Sequence, residues 1–118
     1  MFDISRNGII TISRGDNFTL NVFVNIGTQL MPIQYMLRGE DKLYFAIMEP
    51  NQPFEHALVR KVFTSEDLDE DNNVDMNFSC EDTEFLLPGN YYYMVKLYRA
   101  NEDLVDTIIT KTKFVIID

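Results

Sequence analysis

The sequence predicts an all-β fold, a sandwich of antiparallel sheets with about seven strands. Three observations predict it. Apolar and polar residues alternate over several short segments, as half-buried strands require. No long segment carries a helical period. The stretch from Asp82 to Leu97, DTEFLLPGNYYYMVKL, has the local chemistry of a tyrosine corner. Pro88 presets its own φ, Gly89 supplies a permissive one, and Tyr91 opens a strand with its hydroxyl placed to bond the backbone before it.

The elements follow in order. Asn7-Gly8 signals a turn, and Ile9, Ile10 and Ile12 form a short β-rich segment after it. Arg14-Gly15-Asp16 makes a second turn. Phe18, Leu20, Val22, Val24 and Ile26 then occupy every second position, the clearest strand of the first half. Residues 27–39 read as a connection with one short extended piece near Gln34–Met36. Lys42–Met48 is a strand with Leu43, Phe45 and Ile47 on one face, ended by Pro50 and Pro53, which cannot donate to a ladder. Leu58–Phe63 is the next strand, and Thr64 to Asp67 caps one short helical turn. The acidic run Glu66–Asp75 reads as an exposed loop. Val74, Met76 and Phe78 alternate again, and residues 81–87 hold one helical turn before the corner. Tyr91, Tyr93, Val95 and Leu97 share one face of a long strand; Tyr92, Met94, Lys96 and Tyr98 share the other. Asn101 to Asp103 is a hairpin turn. Val105–Ile117 closes the fold as one strand or a pair, with a break or bulge near Lys111–Lys113, where the apolar phase shifts. Phe18, Leu20, Val22, Phe45, Ile47, Val95 and Leu97 are the expected core.

One domain spanning 1–118 suits 118 residues with 46% hydrophobic content. The net charge of -9 disfavours nucleic acid and anionic membrane surfaces as partners. It favours cations or basic protein surfaces. Cys80 is the only cysteine, so packing alone must hold the sandwich, and a buried, inert thiol is expected. No secretory signal and no apolar run of membrane-spanning length is visible, which points to a cytosolic origin.

Candidate chemistry is sparse. Arg14-Gly15-Asp16 spells an integrin-binding tripeptide, yet it reads as a tight turn. Asp67, Asp69, Asp71 and Asp75 resemble part of a calcium loop, because alternate carboxylates on a curved backbone can converge on a hard cation. Counting from Asp67, the pattern requires Gly at 72 and Glu at 78; the chain has Asn72 and Phe78. A solvated acidic loop is therefore expected, with no metal and no cofactor. His56, the only histidine, reads as a surface residue near a strand. No nucleophile-base pair or phosphate-cradling loop is present, so no catalytic residue is assigned and no enzyme is expected. Tyr92 and Tyr98 offer either an exposed amphipathic patch or a packed face. A receptor- or carbohydrate-binding module is the rival reading; it needs aromatics in loops, whereas most here lie in strands and tryptophan is missing.

The order of motifs is RGDN, FTLNVFVNI, EDKLYFAIMEP, LVRKVF, the acidic loop, EDTEFLLPGNYYYMVKL and DTIITKTKFVIID. It resembles small immunoglobulin-like proteins encoded among the structural genes of tailed bacteriophages. It is similar to the N-terminal domain of upper baseplate proteins in phages of Gram-positive hosts, where an early RGD and a DT..L.PG.YYY..K segment recur. The resemblance implies an immunoglobulin-like sandwich in a virion, made in the bacterial cytoplasm. Its partners would be capsid, tail or baseplate subunits, with many copies on a lattice or a homo-oligomer. The chain lacks the coiled coil and receptor-binding extension of those baseplate proteins, so a decoration or accessory role is expected over host recognition.

Overall fold

The structure, a computed structural model, describes residues 2–118. Among these, eight strands form two packed sheets: β1 (Phe2–Ile4), β2 (Ile10–Ser13), β3 (Phe18–Val22), β4 (Lys42–Met48), β5 (Val59–Phe63), β6 (Val74–Phe78), β7 (Gly89–Arg99) and β8 (Leu104–Ile117). The larger sheet has the order β1-β2-β8-β7-β4-β5, and the smaller pairs β3 with β6. The all-β sandwich is thus present, with two differences from the expected form. The larger sheet is mixed, because β2 runs parallel to β8 with Ile10 opposite Phe114. The eighth strand is β1, whose three residues are all exposed and so carry no alternation to announce it.

The alternating segments bury the expected side. Phe18, Leu20 and Val22 point into the core from β3, with Val74, Met76 and Phe78 opposite them on β6. Phe45, Ile47, Val95 and Leu97 are also fully buried. Val24 is buried too, though β3 ends at Val22 and the chain beyond it continues through an isolated antiparallel bridge between Asn25 and Gln34. The fifth strand begins at Val59 rather than Leu58, which stays exposed.

Aromatic rings join the sheets. Phe18 stacks on Phe78 at 4.5 Å, Phe78 meets Phe45 edge-on at 4.7 Å, and Phe45 stacks on Tyr93 at 5.4 Å. Tyr93 donates its hydroxyl to the Gly8 carbonyl at 2.5 Å. Gly8 has φ +84°, a conformation that costs a side-chain-bearing residue energy, and it brings that carbonyl inward. This ring cluster links the layers without a disulfide.

β8 is a single continuous strand rather than a pair. Its register against β7 slips twice: Tyr93 pairs with Thr112, Val95 with Ile109 and Lys96 with Thr107. The extra residues fall around Thr110 and at Ile108, slightly before the expected break near Lys111–Lys113. Both predicted helical turns are present. Thr64 caps a 3-10 turn at Ser65–Asp67 through a reciprocal capping box, and Ser79 does the same for α1 (Cys80–Thr83). Cys80 is exposed, contrary to the buried thiol expected. It is the first residue of α1, whose one buried position is Thr83.

Candidate interaction surface

The chain between β3 and β4 folds into a hairpin rather than an irregular connection. Tyr35 N–H donates to Val24 O at 2.8 Å, Ile26 N–H to Ile33 O at 2.9 Å, and Thr28 N–H to Met31 O at 3.1 Å. Asn25 fixes the narrow end: its Oδ1 accepts from Gly27 N–H and Ile33 N–H, and its Nδ2 donates to Thr28 O. Thr28 Oγ1 accepts from Met31 N–H at 3.0 Å. A Cβ at Gly27 would lie 2.3 Å from the Met31 carbonyl oxygen, so the two sides close this tightly only over glycine. The tip then displays Leu30 at 95% and Met31 at 76% exposure, with Ile33 and Met36 exposed behind them.

The acidic loop stands beside the base of this hairpin. Gln34 Nε2 donates to Asp71 O at 2.8 Å and to Asn73 Oδ1 at 3.0 Å. The four predicted calcium candidates have separate tasks there. Asp67 accepts from Thr64 N–H at 2.9 Å within the capping box. Asp69 accepts from Asp71 N–H, Asn73 N–H and Asn21 Nδ2. The Asn21 bond foremost, with the two backbone donors, holds the Asp69 carboxyl below the usual carboxylate range. Asp75 shares the Asn21 amide, and Asp71 turns its side chain to solvent. Among the described residues no three His, Cys, Asp or Glu side chains converge as a metal requires.

A buried carboxylate ties the same end of the sandwich together. Asp41 is only 1% exposed. It accepts from Tyr35 Oη at 2.5 Å, Arg38 N–H at 3.1 Å and Ala100 N–H at 2.8 Å. Burial alone would raise its pKa, but these three donors outweigh it and hold Asp41 below the usual carboxylate range. The hairpin and the β7–β8 turn are thereby anchored to one point.

The outer face of the larger sheet has the opposite character. Residues 49–57 fold over it, and the Phe54 ring lies 4.6 Å from Lys96 Nζ and 4.9 Å from the Arg60 guanidinium. Beside that ring runs a groove of about 390 Å³, whose walls include Tyr44, Phe54, Arg60, Lys96, Tyr98 and Val105. Tyr92 and Tyr98 are each half-buried on this face.

The chain matches no protein-family model, no curated protein and no solved structure.

The corner residues lie where the sequence places them. Tyr91 Oη donates to Leu87 O at 2.6 Å, with Pro88 and Gly89 exposed between them. The Arg14-Gly15-Asp16 turn is tied down: Arg14 Nε donates to Glu84 O at 2.9 Å, and Gly15 and Asp16 are half-buried. His56 is exposed at the end of a 3-10 turn. Sequence reasoning missed the hairpin tip and Asp41. The available signal for the tip was the apolar cluster Leu30, Met31 and Ile33 inside a segment otherwise rich in turn residues.

Proposed function

We propose that this chain is a non-enzymatic structural module that attaches to other subunits of a larger particle. The observation that carries this reading is the preset apolar tip: Leu30 and Met31 are held out to solvent by a hairpin whose bonds are already formed. Apolar side chains fixed in this way bind with little further ordering cost. Asp67 and Asp69 accept hydrogen bonds that shape their own loops, a use that fits scaffolding better than proton transfer.

The resemblance to tailed-phage proteins gives the particle a class: a virion, with this chain as a capsid decoration or a tail or baseplate accessory. An immunoglobulin-like assignment belongs to the same proposal. The neighbours β8-β7-β4-β5 and β3-β6 follow the order G-F-C-C′ and B-E, and Tyr91 opens β7 where strand F carries its corner tyrosine. The carbohydrate-binding alternative is weaker, since tryptophan is missing and most of the aromatic residues lie within strands.

Co-sedimentation tests the reading. The purified chain is expected to pellet with virion shells that lack it, and the double substitution Leu30→Ser with Met31→Ser is expected to leave it in the supernatant. A wild-type chain that never pellets with such shells overturns the proposal.

A further inference from the structure

We infer that the hairpin tip of one copy of this chain seats in the outer-face groove of a second copy. This rests on the tip being an attachment surface and names what it attaches to. The tip supplies two apolar side chains, Leu30 and Met31, almost free of contact with their own chain. The groove supplies apolar and aromatic walls from Tyr44, Phe54, Tyr98 and Val105. Its volume of about 390 Å³ lies within the usual range of binding pockets.

Charge selects this occupant. Asp69 and Asp71, with Glu70 between them, form the acidic loop beside the hairpin base, where Gln34 bonds the Asp71 carbonyl and the Asn73 side chain. Lys42, Arg60 and Lys96 face outward from β4, β5 and β7, and Lys111 and Lys113 do so from β8. These are five of the ten basic residues in the chain. Among the described residues neither Arg60 nor Lys96 is in an ion pair, whereas Lys61 and Arg99 are. Among the described residues the groove lining carries one carboxylate, Glu55, and the Tyr98 hydroxyl donates to a second, Asp103, at 3.2 Å. Two tips meeting each other would oppose acid to acid, whereas a tip entering the groove brings acid to base. The stems of Lys96 and Arg60 add apolar surface below their charged ends. Because tip and groove are different patches, every copy both gives and receives, so contacts propagate into a ring or an open row.

The test is the mass of the full chain in solution, by sedimentation equilibrium, as concentration rises towards the millimolar range. At about 0.05 M salt the wild type is expected to exceed monomer mass, and at about 1 M salt, where screening shortens to ~3 Å, its association constant is expected to fall at least tenfold. A tip variant (Leu30→Ser, Met31→Ser) and a groove variant (Arg60→Glu, Lys96→Glu) are each expected to remain monomeric with an unchanged far-ultraviolet spectrum. Mixed in equal amounts they should form two-chain complexes and nothing larger, since one retains the groove and the other the tip. A wild type that stays monomeric, variants that associate like the wild type, or a mixture that stays monomeric would each overturn the inference. If wild-type monomers still pellet with shells through Leu30 and Met31, the second copy is the wrong partner while the attachment reading stands.

Discussion

Tyr91 and Asp41 each fix a junction through oxygen atoms that a sequence shows only in one case. The Tyr91 hydroxyl bonds a carbonyl four residues back, so its geometry is local and Pro88-Gly89 already implies it. Tyr91→Phe is expected to destabilise the fold by ~1 kcal/mol, measured by urea unfolding. Asp41 sits in Glu40-Asp41-Lys42, which reads as a surface run of charge. Its burial follows from Ala100, fifty-nine residues away, and no local pattern announces such a partner. Asp41→Asn places an amide N–H among donors and is expected to cost about 1–3 kcal/mol at neutral pH. The folded carboxyl titrates below its unfolded value, so its contribution is complete above the unfolded pKa, about 4, and is lost as pH falls through the folded value. The stability gap between wild type and Asp41→Asn should therefore narrow on acidification; a gap that widens would contradict this role.

At the scale of elements, the hairpin between β3 and β4 shows why strands were legible and this segment was not. Strand alternation records burial on one face, and β3, β6 and β7 carry it; β4 shows it at Leu43, Phe45 and Ile47 while also burying Ala46 and Met48 on its other face. The hairpin is instead organised by the Asn25 side chain and by close approach at Gly27, neither of which leaves a period. Gly27→Ala forces its Cβ against the Met31 carbonyl and is expected to cost about 1–3 kcal/mol. It should also weaken attachment through the tip far more than a comparable substitution elsewhere. Equal binding by Gly27→Ala and wild type in the co-sedimentation assay would show that the preset shape is unimportant.

For the whole molecule, the ring cluster decides whether two sheets become one body. Phe45 lies in ring contact with Phe78 of the smaller sheet and with Tyr93 and Phe114 of its own. Phe45→Ala is expected to cost about 3–5 kcal/mol, and Leu20→Ala about 2–5 kcal/mol, by thermal or chemical unfolding. A loss below ~1 kcal/mol at Phe45 would mean that the layers are held elsewhere. These core positions were readable because burial follows the strand period. The parallel pairing of β2 with β8 was not, since it joins the two ends of the chain and depends on how the sheet curls.

The double register slip in β8 has a consequence for how the molecule behaves when crowded. A fourteen-residue strand covered by β2 only along its last four residues would otherwise offer a long straight template for foreign backbone. Each extra residue bends and twists that rail, so an incoming chain finds no continuous run of evenly spaced donors and acceptors. Removing Ile108 or Thr110 would straighten the rail, and the resulting hazard is fibre growth rather than unfolding.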